Sequence, residues 1–301
     1  MTQATALAPR EERIESAGGV QIFVRSWRPE GPPRAVVAIV HGINSHSGYF
    51  AWAAEQLAAG GLAVYALDLR GRGRSDGERF YIESIGEYLA DVDALLALAR
   101  SREPGLPVFL LGHSAGGVVS CVYALEHQAE LAGLICESFA FQVAAPDFAL
   151  AVVKGISHLA PHVHVLKLKN EQFSRDPRAV RAMDDDPLIA DEAQPSSTVA
   201  ELVRADERLR EEFPRITLPV LILHGTADEV TNPRGSQLFY DTAGSADKTL
   251  RLYDGHVHDL FNDYGRDVVM ADVTAWIAAR LPRAGGGPAD APAIPLPVPV
   301  P

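Results

Sequence analysis

The chain contains 301 residues, of which 47% are hydrophobic and 22% are charged, and its formal net charge at pH 7 is −12. The apolar content excludes a disordered chain, and the acidic balance argues against nucleic acid as a partner because like charges repel. No apolar run approaches the roughly 20 residues of a membrane span, and the N-terminus shows no secretory pattern. We therefore expect a cytoplasmic chain that forms one domain with an insertion and does not insert stably into membranes.

Short apolar runs alternate with helical patterns along most of the chain, as in a parallel sheet with helical crossovers. The runs typical of strands are Val20–Trp27, Ala35–Val40, Leu62–Leu67, Val108–Leu111, Leu134–Cys136, Val220–Leu223 and Leu250–Tyr253. The patterns typical of helices are Phe50–Ala59, Ile85–Ala99, Gly117–His127, Gly235–Thr242 and Val268–Leu281. The alternation predicts an α/β fold, with a mostly parallel sheet of eight strands and helices on both faces.

The alternation stops between Ser138 and Phe213, where no strand is expected. This segment instead contains three helical patterns, over Phe148–Leu159, Arg178–Met183 and Thr198–Arg210, with prolines between them. We expect residues 138–213 to form a helical cap, inserted in a core made of residues 1–137 and 214–282. Residues 283–301 are rich in Pro, Gly and Ala, and we expect a disordered tail because proline cannot donate to a sheet.

A turn with the pattern G-x-S-x-G occurs at Gly112–Gly116, between a predicted strand and a predicted helix. This context strains the serine backbone and exposes its hydroxyl at the edge of the sheet, while the helix N-terminus favours a nearby oxyanion. The two glycines allow other backbone segments to pass close to the turn. Ser114 is therefore the predicted nucleophile.

A serine nucleophile needs a base, and the base needs an acid that orients it. Side chains that carry chemistry in parallel sheets follow the C-terminal ends of strands. Asp228 follows one predicted strand, and His256 and His258 follow the next. The order serine, acid, histidine is that of an α/β-hydrolase, with Glu137 as an alternative acid to Asp228.

An oxyanion hole needs two backbone N–H groups that point to the same place. The residue after the nucleophile, Ala115, supplies one of them. The loop His41–Ile43 follows an early predicted strand and contains Gly42, which permits close approach. We expect Ile43 to supply the second N–H.

Seven short motifs occur in a fixed order between about residues 19 and 281: His41–Gly42, Asp68–Ser75, Gly112–Gly117, Phe173–Pro177, Asp186–Leu188, Gly225–Asp228 and Tyr253–His258. Together they resemble the monoacylglycerol lipase and lysophospholipase branch of the α/β-hydrolases. The resemblance implies a serine hydrolase of single-chain lipid esters with a lid-like cap. It puts Ser114, Asp228 and His258 at the triad positions, and Ile43 and Ala115 at the oxyanion donors. That family usually has methionine where this chain has Ala115.

Two other interpretations of the polar motifs are weaker. The loop Asp68–Asp76 contains glycines and arginines but lacks the glycine spacing of a phosphate-binding loop, so a structural role is favoured. The pairs His256/His258 and His162/His164 lack a third cluster of ligands, so we expect no metal.

The sequence thus predicts a carboxylic-ester hydrolase that forms an acyl-enzyme on Ser114 and needs no cofactor. The expected substrates are single-chain acyl esters such as monoacylglycerols, and the cap is expected to touch lipid transiently. One alternative is a carboxylesterase for small aryl or phthalate-type monoesters, because Ala115 opens the acyl pocket. Another is a ligand-binding protein of the same fold. The oligomeric state is not defined. The residues expected to contact substrate are Glu137, Phe139, Phe148 and Ile156.

Overall fold

The structure is a computed structural model that describes residues 8–141 and 147–282. It contains ten strands: β1 (Arg10–Glu15), β2 (Gln21–Trp27), β3 (Val36–Val40), β4 (Ala63–Leu67), β5 (Val108–His113), β6 (Gly133–Glu137), β7 (His164–Leu166), β8 (Gln194–Pro195), β9 (Val220–Gly225) and β10 (Lys248–Tyr253). Eight of them form one sheet in the order β1-β2-β4-β3-β5-β6-β9-β10. Only β2 runs opposite to the other seven strands, because it pairs antiparallel with both β1 and β4. The predicted α/β fold with an eight-stranded, mostly parallel sheet is confirmed.

One strand of the sheet, β1, was not expected from the sequence. Its residues Arg10–Glu15 are charged apart from Ile14, and their side chains alternate between exposed and half-buried. An edge strand that covers little of the core needs few apolar residues, so it carries almost no periodic signal.

Eight helices accompany the strands in the described part of the chain: α1 (Ala51–Ala59), α2 (Ile85–Arg102), α3 (Ala115–His127), α4 (Asp147–Leu159), α5 (Pro177–Asp184), α6 (Ser196–Glu212), α7 (Pro233–Thr242) and α8 (Arg266–Ala278). The strands bury side chains on both faces, so that alternate residues of β3 enter two different cores. Val36, Ala38 and Val40 face α2 and α3, whereas Val37 and Ile39 face α1 and α8. None of these helices is long and apolar enough to cross a membrane.

The segment between β6 and β9 interrupts the alternation, and we call residues 138–213 the inserted segment. Its described part contains α4, α5 and α6, which correspond to the three predicted helices. The expectation that it holds no strand is wrong, because β7 and β8 pair as a small antiparallel sheet. Strands of three and two residues are too short to show a period. Helix α6 packs against α3, the helix that follows Ser114. The predicted tail, residues 283–301, lies outside the described residues.

Candidate active site

Ser114 occupies a strained turn between β5 and α3. Its backbone has φ 53° and ψ −122°, a conformation that residues other than glycine rarely adopt. The neighbouring glycines permit this turn: a Cβ on Gly112 would lie 2.4 Å from the Gly116 carbonyl oxygen, and one on Gly116 would lie 2.2 Å from the Val40 carbonyl oxygen. The turn therefore holds the Ser114 side chain at the C-terminal edge of the sheet.

His258 and Asp228 form a buried pair at the same edge. Asp228 Oδ2 accepts a hydrogen bond from His258 Nδ1 at 2.8 Å, and both side chains are fully buried. Asp228 Oδ1 accepts hydrogen bonds from the backbone N–H groups of Val230 and Thr231. Burial opposes ionisation of Asp228, but His258 and His224 together hold the pKa of this carboxyl far below its ordinary value. The carboxylate can therefore orient His258 and stabilise its protonated form.

The second ring nitrogen of His258 is available for proton transfer. Because Nδ1 donates to Asp228, the lone pair of a neutral ring lies on Nε2. His258 Nε2 is buried and has no hydrogen-bond partner among the residues that the structure describes. A ring held in this tautomer can act as a general base.

The sequence did not predict that a second histidine, His224, contacts Asp228 in addition to His258. His224, at the end of β9, is fully buried, and its Nε2 lies 3.1 Å from Asp228 Oδ2. Its Nδ1 lies 2.7 Å from the hydroxyl of Ser236, and the Thr231 hydroxyl donates to Asp228 Oδ2 at 2.8 Å. The sequence did carry a signal for this contact, since His224 is a polar residue near the end of a buried strand and precedes Asp228 by four positions.

The alternative acid, Glu137, contacts a different histidine. Its carboxylate forms an ion pair with His113 Nδ1 and accepts the backbone N–H of Leu260 at 2.8 Å. The described contacts of Glu137 do not include His258. Glu137 therefore links the ends of β5 and β6 to the loop that carries His258, whereas Asp228 is the carboxylate that contacts His258 itself.

The ion pair between His113 and Glu137 predicts a pH dependence of stability. Burial lowers the pKa of His113, but the Glu137 carboxylate outweighs burial and raises this pKa to about 9. The unfolded histidine titrates near 6.5, so the stabilisation is complete below pH 6.5 and is lost as the pH rises to 9. We expect the free energy of unfolding to fall by up to about 1.4 kcal/mol per pH unit in this window.

Urea denaturation at pH 6.5, 7.5 and 9 measures this effect. His113→Gln should lose most of the pH dependence, whereas His127→Gln, which changes an exposed histidine beside Glu130, should keep it. An unchanged slope in His113→Gln would show that another group is responsible.

The loop that follows β3 brings a second backbone segment to the nucleophile. A Cβ on Gly42 would lie 2.8 Å from Ser114 Cβ and 3.2 Å from the Ala115 nitrogen, so this loop touches the turn. His41 fixes the loop, since its Nε2 accepts the Leu69 N–H at 3.0 Å and its Nδ1 lies 2.7 Å from the Gly42 carbonyl oxygen. Burial lowers the pKa of His41 to about 3, so this ring is neutral. Ile43 and Ala115 thus lie on two segments that meet beside Ser114.

A cavity of about 330 Å³ opens beside Ser114. Its wall is mainly apolar, and most of it belongs to the inserted segment. The lining residues are Ile43, Ser114, Ala115, Val118, Ala140, Val153, Val165, Leu166, Leu168, Gln172, Val199, Leu202, Val203, Asp206, Glu229, Val230 and Thr231. This volume is in the range of small-molecule sites and suits an extended apolar chain.

Three of the four residues expected to contact substrate, Glu137, Phe139 and Ile156, are not in the wall of this cavity. Phe139 is fully buried, because its ring packs against those of Phe141, Phe213 and Phe239. Glu137 is buried behind His113, and half-buried Ile156 is absent from the cavity wall. The Phe148 side chain lies outside the described residues. Among the residues of α4 whose side chains the structure describes, Val153 lines the cavity.

The arginine-rich loop after β4 makes structural ion pairs. Arg70 pairs with Asp91, Arg72 with Glu192 and Arg74 with Glu11. These contacts support the structural interpretation of the loop. Within residues 8–141 and 147–282, no group of three or more potential ligands is arranged to hold a metal ion.

The fold and the grouping of Ser114, His258 and Asp228 at one sheet edge define an α/β-hydrolase with the residue set of a serine hydrolase. The model of the family described as serine aminopeptidase, S33 (Hydrolase_4) matches residues 31–265. The chain therefore belongs to this family, and the relatives described next confirm the resemblance to the monoacylglycerol lipase branch of the α/β-hydrolases.

Individual relatives agree with this assignment. The chain is 33% identical over 273 residues to the monoacylglycerol lipase of Mycolicibacterium smegmatis, which covers 90% of this chain and 98% of that protein. It is 31% identical over 277 residues to the monoglyceride lipase of Homo sapiens, covering 90% and 91%. The crystal structure of the Paleococcus ferrophilus monoacylglycerol lipase matches with a TM-score of 0.78 at 29% identity, covering 86% of this chain and 99% of that one.

Proposed function

We propose that the protein is a serine carboxylic-ester hydrolase that cleaves single-chain acyl esters, with monoacylglycerols as its main substrates. The observation that carries this proposal is the apolar cavity that has Ser114 in its wall. The similarity over nearly the full length to monoacylglycerol lipases supports the same substrate class.

In the proposed reaction, Ser114 Oγ attacks the ester carbonyl while His258 Nε2 takes the hydroxyl proton. The tetrahedral oxyanion accepts hydrogen bonds from the Ile43 and Ala115 N–H groups. The intermediate collapses to an acyl-enzyme as protonated His258 gives its proton to the leaving alcohol, here glycerol. Water activated by His258 then hydrolyses the acyl-enzyme and releases the carboxylic acid.

We propose that the inserted segment acts as a cap that forms most of the acyl-binding wall. A narrow capped cavity accepts one acyl chain and excludes the further chains of a triacylglycerol. Each buried methylene contributes about 0.8 kcal/mol, so kcat/KM should rise by up to about fourfold per added methylene until the cavity is filled. We expect a monoacylglycerol to be hydrolysed faster than the corresponding triacylglycerol.

A panel of monoacylglycerols of increasing chain length tests this prediction, with two matched variants. Val153→Trp places a large side chain in the cavity wall and should shorten the preferred chain. Glu211→Trp adds the same side chain at an exposed position of α6 that is not part of the cavity wall, and should leave the profile unchanged. A flat profile, or faster turnover of the triacylglycerol, would favour a hydrolase of small esters instead.

We also propose that the inserted segment touches lipid transiently while substrate enters. Leu159 is 90% exposed, and Val152 and Val163 are each more than half exposed on the same segment. Exposed apolar side chains gathered in one region are typical of an interaction surface. Sedimentation with lipid vesicles should recover less Leu159→Asp than wild-type protein, and equal recovery would contradict the contact.

A further inference from the structure

A buried carboxylate of the inserted segment is bonded to the loop that carries Ile43. Glu192 Oε1 accepts the backbone N–H of Asn44 at 3.0 Å, and Glu192 and Asn44 are both at least 96% buried. Asn44 has φ 51°, so the loop turns sharply at the residue directly after Ile43. The Asn44 side chain also donates to Asn170 Oδ1 of the inserted segment at 3.0 Å.

A network that spans both parts of the molecule holds Glu192 in place. Arg72, from the loop after β4, forms an ion pair with Glu192 and donates to Gln194 Oε1 at 2.6 Å. Gln194 Nε2 in turn donates to Glu192 Oε1 at 2.8 Å, and Tyr88 OH accepts from Arg72 Nε at 2.9 Å. Because all four side chains are buried, the carboxylate has little freedom to move.

Ile43 therefore lies between two fixed points of the backbone. On the N-terminal side, the neutral ring of His41 is hydrogen-bonded to the backbone of Leu69 and Gly42. On the C-terminal side, Glu192 accepts the hydrogen bond of the Asn44 N–H. Backbone donors stabilise an oxyanion only when they are held close to the productive geometry, and a displacement of about 1 Å can cost about 10²-fold in rate. Core residues alone supply only the first of these two fixed points.

We propose that Glu192 is a positioning residue. When the inserted segment is packed against the core, Glu192 orients the Ile43 N–H for oxyanion binding. This inference rests on the proposed hydrolysis at Ser114. It makes formation of the oxyanion hole depend on the position of the inserted segment. The acyl cavity and the oxyanion hole would then be completed together.

Two double variants separate the effect of the hydrogen bond between Glu192 and the Asn44 N–H from the effect of the ion pair between Arg72 and Glu192. Arg72→Met with Glu192→Leu removes both charges and leaves the Asn44 N–H without its acceptor. Arg72→Met with Glu192→Gln removes the same charges but keeps a side-chain carbonyl at that place. Neither variant leaves an unpaired buried charge, which is the usual reason for unfolding when one partner of a buried pair is removed.

The test compares two ligands for each variant. A long-chain alkyl trifluoromethyl ketone forms a hemiketal with Ser114 and needs the oxyanion hole, whereas the matching alcohol needs only the acyl cavity. Relative to the glutamine variant, the leucine variant should bind the ketone about 10- to 100-fold more weakly and lose kcat by a similar factor. Its affinity for the alcohol should change by less than about twofold.

Equal ketone binding by the two variants, or a parallel loss of both ligands in the leucine variant, would overturn the proposal. If the leucine variant does not fold, Glu192→Asp retains the charge but withdraws the carboxylate, and the same selective loss is expected. A wild-type protein that hydrolyses no monoacylglycerol and binds no ketone would instead refute the proposed function.

Discussion

Ser114→Ala should reduce kcat for monoacylglycerol hydrolysis by about 10⁴- to 10⁶-fold while the protein remains folded. The hydroxyl of Ser114 is the only protein group in the proposed mechanism that forms a bond to the acyl carbon, so its loss leaves only binding and the oxyanion donors. The turn at Ser114 is set by backbone and glycine contacts, which an alanine side chain does not change. Steady-state hydrolysis rates and the melting temperature measure the two effects.

The chain offers a matched control for this variant. Ser120 lies in the same helix, α3, and its hydroxyl is buried without a hydrogen-bond partner in the part of the chain that the structure describes. Ser120→Ala should keep kcat within about threefold, since it removes no bond and little volume. Comparable activity of Ser114→Ala and Ser120→Ala would mean that Ser114 is not the nucleophile. A wild-type protein that hydrolyses no ester would instead favour a ligand-binding protein.

His258→Ala should be nearly as inactive as Ser114→Ala, because removing the base from a serine hydrolase costs almost as much as removing the nucleophile. His256, two residues earlier, is half-exposed and its Nδ1 faces the Asp254 carbonyl oxygen at 3.2 Å. His256→Ala should therefore keep at least a tenth of the wild-type kcat. The opposite ranking of these two variants would assign the base to His256.

The acid can be tested by the same comparison. Asp228→Asn should lower kcat by about 10⁴-fold, because His258 loses the carboxylate that selects its tautomer and stabilises its charge. Glu137→Gln retains an acceptor for the Leu260 N–H and should be at least 100-fold more active than Asp228→Asn. A more active Asp228→Asn would transfer the acid role to Glu137.

The sequence predicted the parallel core well because its strands are buried on both faces. Runs such as Val36–Val40 and Val108–Leu111 are apolar without interruption, and the polar residues that follow them mark the sheet edge. The same reasoning placed Ser114, Asp228 and His258 at the ends of different strands. It was weaker where a strand covers little surface, as in charged β1 and the very short β7 and β8.

Contacts between distant segments could not be predicted from the pattern. Phe139 and Val153 are both apolar, and only the packing of distant segments decides that Phe139 enters the core and Val153 faces the cavity. Glu192 is separated from Asn44 by 148 positions, and its neighbours in sequence form no recognisable motif. His224 is a partial exception, because it lies near the end of β9, directly after the apolar residues Val220–Leu223.

Fluorophosphonate labelling in the presence of a monoacylglycerol tests the central claim most directly. The reagent phosphonylates an activated serine, and peptide mass spectrometry identifies the labelled residue. We predict that the label is found on Ser114 alone and that labelling slows as the monoacylglycerol concentration rises, because both molecules use the same nucleophile and cavity. A label on another serine would contradict the account. So would labelling of Ser114 that is not slowed by a monoacylglycerol that the protein does hydrolyse.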